Sequence, residues 1–134
     1  MHQGQPDSLA QLNQRLLEFA RERDWEQFHT PKNLSMALIA EAAELVEHFQ
    51  WLSEEASWLS GRPEKKAEVA QELADILIYL IRLGERLDID LIKAAWDKIA
   101  INEQRYPAQL VRGDSRRAAE YTAGHGGPNA EEAT

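Results

Sequence analysis

Apolar residues recur along this chain at the 3,4 spacing of amphipathic helices, and no stretch sustains the alternation of a strand. Leu9, Leu12, Leu16 and Phe19 share one face and predict a first helix over 8–23. Residues 24–29 break that pattern, carry Trp25 and Phe28, and read as a connecting segment. Thr30 can cap a second helix, and Pro31 then takes the first helical position, where its missing N–H costs nothing. This helix is expected to run to Trp51 or Leu52, with Leu34, Leu38, Leu45, Phe49 and Leu52 on one face. Residues 53–61 read as a linker or a short frayed helix. Pro63 opens a third helix reaching Leu87, with Val69, Leu73, Ile76, Leu77, Leu80 and Leu83 inward. Asp88 or Asp90 caps a fourth, whose Leu91, Ile92, Ala95, Trp96 and Ile99 face the core, Trp96 included. It ends near Tyr106-Pro107, because proline disfavours helix at the residue before it.

The predicted fold is all-α: one domain over 1–112, built as an antiparallel four-helix bundle. From Gly113 onward the chain holds four of its seven glycines and almost no large apolar side chains, so 113–134 is expected to be a disordered tail.

Composition narrows the chemistry. The absence of cysteine excludes disulfides, thiolate zinc sites and Cys nucleophiles. A formal net charge of −8 argues against binding a nucleic acid polymer through a basic face. No apolar run is long enough for a membrane span, the first residues do not form a signal peptide, and the cytoplasm is the expected location.

Some of the acidic residues are patterned. Glu41 and Glu44 lie i, i+3 on the second helix, and Glu72 and Asp75 lie i, i+3 on the third, so each pair shares a face. At about 100° per residue, Glu41 falls roughly 20° from Leu34 and Leu52, at the edge of the apolar arc. Glu68, Glu72, Asp75 and Tyr79 form one stripe bordering the apolar face of the third helix. Packing the two apolar faces together brings the carboxylate borders into proximity. Charges so placed are costly unless protonated or bound to a cation. All-oxygen ligands favour Mg²⁺ or Mn²⁺ over zinc. The alternative is that both pairs are ordinary solvated faces. A di-iron centre needs two Glu-x-x-His motifs, and the chain has only Glu26-x-x-His29, in a predicted loop.

Lys98, Asn102 and Arg105 lie at i, i+4, i+7 and share a face of the fourth helix, followed by Tyr106. Two cations and an amide in a row can hold phosphate oxygens, and Mg²⁺ commonly bridges carboxylates to phosphates. Trp25, in a polar segment, and Trp51, about 100° from its helix's apolar centre, suggest stacking on a base; core capping or an oligomer contact are the plainer alternatives.

These residues together resemble the all-α nucleoside triphosphate pyrophosphohydrolases of the MazG-like superfamily, and within it the dCTP pyrophosphatases. The resemblance spans about Glu18 to Arg112 and rests on Arg23-Asp24-Trp25-Glu26-Gln27-Phe28-His29, Glu41-Ala42-Ala43-Glu44, Phe49-Gln50-Trp51, Glu72-Leu73-Ala74-Asp75 and Asn102-Glu103-Gln104-Arg105-Tyr106-Pro107. It implies Mg²⁺ held by Glu41, Glu44, Glu72 and Asp75, base recognition by Trp25 and Trp51, and phosphate or sugar contacts from Tyr79, Lys98, Asn102, Arg105 and Tyr106. It also implies release of pyrophosphate from a nucleoside triphosphate and assembly as a homodimer or homotetramer. The related enzymes carry a His in the first helix near the base pocket where this chain has Leu16, which opens the base preference. Relatives acting on dUTP or other nucleotides, and a non-catalytic helical dimerisation module, are the competing readings.

Overall fold

The computed structural model describes residues 8–116 and 120, and every regular element among them is helical. In chain order these are α1 (Leu9–Glu22), α2 (Pro31–Glu47), α3 (Pro63–Arg86), α4 (Leu91–Arg105) and the single turn α5 (Ala108–Val111). One-turn 3-10 helices occur at Glu26–Phe28 and Ala56–Trp58. The predicted all-α class is therefore observed. The chain divides into two compact units, Met1–Leu91 and Ile92–Thr134, so the break falls within the span predicted as one domain. Apart from Gly113–Arg116 and Glu120, the predicted tail lies outside the described residues.

Local chemistry sets the helix boundaries in the first unit. Ser8 Oγ caps α1 by accepting from Gln11 N–H, and Thr30 Oγ1 caps α2 by accepting from Asn33 N–H. Such caps contribute about 1 kcal/mol each. Proline is the first residue of both α2 and α3, where no intrahelical donor is lost.

The C-termini of α1 and α3 close alike. Asp24 and Asp88 both take the left-handed conformation, at φ 53°. Trp25 N–H then returns to Ala20 C=O at 2.8 Å, and Ile89 N–H to Gly84 C=O at 2.8 Å. The inner bonds run from Asp24 to Arg21 and from Asp88 to Glu85. These are Schellman closures with aspartate in the place usually held by glycine. The α1 closure fixes Trp25 immediately beyond the helix end. Gly84 serves the α3 end in a second way, because a Cβ there would lie 2.9 Å from Leu91 Cγ.

α3 packs against both α1 and α2. Along α2, Glu41 meets Asp75 and Glu72, while His48 meets Glu72 and Glu68. Ascending α2 thus descends α3, and the two run antiparallel. Ala20, Leu34, Leu59, Val69 and Ile81 form the buried apolar core. Leu73, Leu77 and Leu80, expected inward, are exposed on α3, so among the described residues the predicted apolar stripe is only partly covered. Trp96, assigned to the core, is 67% exposed.

Candidate active site

The two carboxylate pairs come together. Glu41 from α2 and Glu72 and Asp75 from α3 each offer an oxygen, and the three atoms lie within 4.8 Å of one another. Glu44, one turn beyond Glu41, adds its charge beside that carboxyl. Desolvation, then the charge of Glu44, then those of Asp75 and Glu72, push the Glu41 carboxyl above its ordinary pKa. The carboxylates crowd one another and their donors are hard oxygens, so the cluster could hold a divalent metal.

A prediction follows for the metal-free protein. The folded state binds the Glu41 proton more tightly than the unfolded state, so the Glu41 contribution to stability is fully present below the ordinary value of 4.5. It declines as pH rises through 4.5 toward the raised folded value. Urea midpoints measured in chelator between pH 4.5 and 7.5 are expected to fall in the native chain and to fall less steeply in Glu41→Gln. Parallel curves would contradict the placement of Glu41 among its acidic neighbours.

Beside the cluster lies a cavity of about 290 Å³ between α1, the Trp25 segment and α3. Trp25, Phe19, Leu16, Tyr79, Asp75 and His29 are among its walls. Phe19 meets Trp25 edge-on at 5.7 Å, and Trp25 meets His29 at 6.4 Å. Asp75 belongs to both the carboxylate cluster and this wall. A volume near the lower end of small-molecule sites, about 300–1,000 Å³, suits one aromatic heterocycle rather than a whole nucleotide. Trp51 is 88% exposed and is not among the residues lining this cavity.

In the second unit, Lys98, Asn102 and Arg105 are exposed on a shared face of α4. The Arg105 guanidinium lies 5.9 Å from the centre of the Tyr106 ring.

Comparison with known proteins accords with this arrangement. Residues 37–118, which carry all four carboxylates, match the model of the MazG-like family. The chain belongs to the MazG-like family. This MazG-like chain is 47% identical to human dCTP pyrophosphatase 1 (Homo sapiens) over 108 residues, or 80% of this chain and 64% of that protein. It is 48% identical to the rat protein of the same name (Rattus norvegicus) over 106 residues, 78% of this chain and 61% of the other. It therefore spans less than two thirds of the length of these relatives. Among solved structures it is similar to a pyrophosphatase from Archaeoglobus fulgidus DSM 4304, with a TM-score of 0.70 and 36% identity, covering 80% of this chain and 99% of that one.

Two residues of this MazG-like site went unread in the sequence. His48 places Nε2 3.5 Å from Glu72 Oε1 and Nδ1 3.8 Å from Glu68 Oε2, behind the cluster. Arg82 is buried beside the cavity and donates from Nε to His29 Nδ1 at 3.3 Å. Burial first, then the charges of Arg82 and Arg86, push His29 below its ordinary pKa, with Glu26 opposing. Each missed residue continues a stripe already marked in the sequence. His48 follows Glu41 and Glu44 at the next helical step, and Arg82 follows Glu68, Glu72, Asp75 and Tyr79 at spacings of 4, 3, 4 and 3.

Proposed function

We propose that the chain is a Mg²⁺-dependent nucleoside triphosphate pyrophosphohydrolase acting on dCTP, or a modified dCTP, to give the monophosphate and pyrophosphate in the service of nucleotide-pool sanitation. The observation that carries this reading is the sharing of Asp75 between a three-carboxylate cluster and an aromatic cavity of the size of a base. The names of the dCTP pyrophosphatase relatives, and the pyrophosphatase activity in the name of the structural neighbour, support it.

Glu41, Glu44, Glu72 and Asp75 would hold Mg²⁺, with Mn²⁺ able to replace it, and the metal when bound neutralises phosphate charge and lowers the pKa of its water. The cavity walls orient the base, which sets the α-phosphorus toward the carboxylates. A water oxygen forms the new bond to the α-phosphorus, and the bond from that phosphorus to the α,β-bridging oxygen breaks. Glu41 or Glu44 accepts the proton released from the water, and pyrophosphate leaves with the bridging oxygen. Lys98 and Arg105 would steady phosphate charge, Asn102, Tyr79 and Tyr106 would contact phosphate or sugar, and the exposed Trp51 would close on the base. The apolar side chains left uncovered on α2 and α3, such as Met36, Ile39, Leu73 and Leu77, support assembly as a homodimer or homotetramer. No helix among the described residues is long and apolar enough to cross a membrane, and the proposed location is the cytoplasm.

The test is a panel of canonical and modified triphosphates, assayed for pyrophosphate release as initial rates with Mg²⁺, Mn²⁺ or chelator. The expected result is fastest release from dCTP or a modified dCTP, equimolar monophosphate, and no reaction in chelator. Absence of cleavage across the panel would overturn the enzyme reading in favour of the helical dimerisation module. Within the same assay, Trp25→Ala is expected to lower kcat/KM for the best substrate about 5- to 150-fold, the equivalent of about 1–3 kcal/mol of stacking. An unchanged value would remove Trp25 from the base site.

A further inference from the structure

Arg82 is the one charged side chain that is buried among the described residues, at 2% exposure. Its guanidinium is engaged within the protein. Nε donates to His29 Nδ1 at 3.3 Å, and Nη1 donates to Glu85 Oε2 at 3.0 Å. Nη2 is enclosed and has no acceptor among the described residues, so it offers nothing to a ligand. One turn further along α3, Arg86 Nε donates to His29 C=O at 3.0 Å. Two arginines at i, i+4 on one helix thus hold one histidine, the first by its ring and the second by its backbone.

These bonds tie a distant stretch of chain to α3. His29 ends the stretch that follows α1 and carries Trp25, and both residues line the cavity. The two arginine bonds join positions 53 and 57 residues apart. Among the described residues, the other hydrogen bonds of this stretch join positions no more than 5 apart, such as Asn33 Nδ2 to Phe28 C=O. Local bonds give the stretch its shape, and the arginines give it a place on α3. Asp75 lies two turns before Arg82 on the same face of that helix. One helix therefore carries both the carboxylates and the anchor of the aromatic wall.

The ring bond also decides where a proton sits. A guanidinium N–H can only donate, so His29 Nδ1 must accept from Arg82. The neutral imidazole then carries its proton on Nε2. Burial first, then the charges of Arg82 and Arg86, hold the His29 pKa below 6.5 against the opposing charge of Glu26, which favours that neutral form.

We propose that Arg82 and Arg86 are positioning residues for the reaction: acting through His29, they set the Trp25 stretch in place against the helix that carries Glu72 and Asp75, and they hold the imidazole as its Nε2–H tautomer. The proposal rests on the functional reading above. Neither arginine touches substrate or metal in this role. The contribution is preorganisation, because the wall stands in place before the base arrives and binding does not have to order it. Glu85 braces Arg82 from the far side, so the anchor is itself held.

Two variants and two readouts test this. Arg82→Met removes the ring bond, and Arg86→Ala removes the backbone bond from an exposed side chain. Each is expected to raise KM for dCTP about tenfold with kcat within about threefold of the native value, the signature of lost binding shared by ground and transition states. A merely structural role gives the opposite split, since partial unfolding removes active molecules, lowers kcat and leaves KM unchanged. NMR of the His29 ring nitrogens, in the full chain without substrate and above pH 6.5, reads the contact itself. The native ring is expected to carry its proton on Nε2 alone, and Arg82→Met to show a mixture of tautomers. A native proton on Nδ1, or an unaltered tautomer in folded Arg82→Met, overturns the proposal. An unchanged KM in both variants, or a loss confined to kcat, overturns it while leaving the pyrophosphohydrolase reading intact. If Arg82→Met does not fold, the native spectrum and the Arg86→Ala kinetics still decide. Cleavage of no nucleotide by the native chain overturns both.

Discussion

Asp75→Ala is expected to lower pyrophosphate release from dCTP by about 10³-fold or more, and to do so through kcat. A metal in such a site supplies several kcal/mol of charge stabilisation, and each 1.36 kcal/mol is tenfold in rate. Glu72→Ala should follow it, since both oxygens belong to the same group within 4.8 Å. Asp75 is the sharper test, because it is also part of the wall of the base cavity. Its loss should uncouple metal binding from the position of the base.

Thermal unfolding gives an independent readout. If Mg²⁺ is the metal held by the cluster, then at about 100 times its dissociation constant it would stabilise the native fold by about 2.7 kcal/mol. That shift should vanish in Asp75→Ala. In chelator the same variant should be at least as stable as the native chain, because one of the anions crowding Glu41 has gone. Retention of activity within tenfold, or an undiminished Mg²⁺ shift, would remove Asp75 from the metal site.

The carboxylates were legible because helix geometry is local. A spacing of i, i+3 determines which side chains share a face, and the Thr30-Pro31 start of α2 sets the register of Glu41 and Glu44. What covers a face is not local. Leu73, Leu77 and Leu80 carry the same apolar signal as buried Val69, yet among the described residues they are exposed. The end of α2 shows a different limit. The apolar stripe continues through Phe49 and Leu52, but the bonds from His48 to Leu45 and from Phe49 to Val46 tighten to i−3, and the α-helix stops at Glu47.

Trp25 was legible twice, as an aromatic in a polar segment and as part of the motif at 23–29, but the geometry that positions it was not. The closure that positions it has aspartate rather than glycine at the left-handed residue, so the usual stop signal was missing. Arg82 was passed over for a related reason. An arginine in an amphipathic stripe reads as solvated, and only the positions of His29 and Glu85 reveal it as a buried, braced cation.

Leu34→Ala is expected to cost about 2–5 kcal/mol, the range for deleting a fully buried leucine side chain. Leu34 is 1% exposed in the first turns of α2, and its N–H donates to Thr30 C=O at 2.9 Å. The cavity left by the truncation adds its own term to the lost transfer energy. At about 4–8 °C per kcal/mol for a unit of this size, the melting midpoint should fall by about 10 °C or more. Leu77→Ala makes the informative comparison, because both leucines carry the same inward signal in the sequence. Leu77 is 41% exposed in the single chain. If a second copy covers α3, its cost should grow with protein concentration, whereas that of Leu34→Ala should not. A loss below about 1 kcal/mol for Leu34→Ala would contradict its place in the core, since no partner chain is needed to bury it.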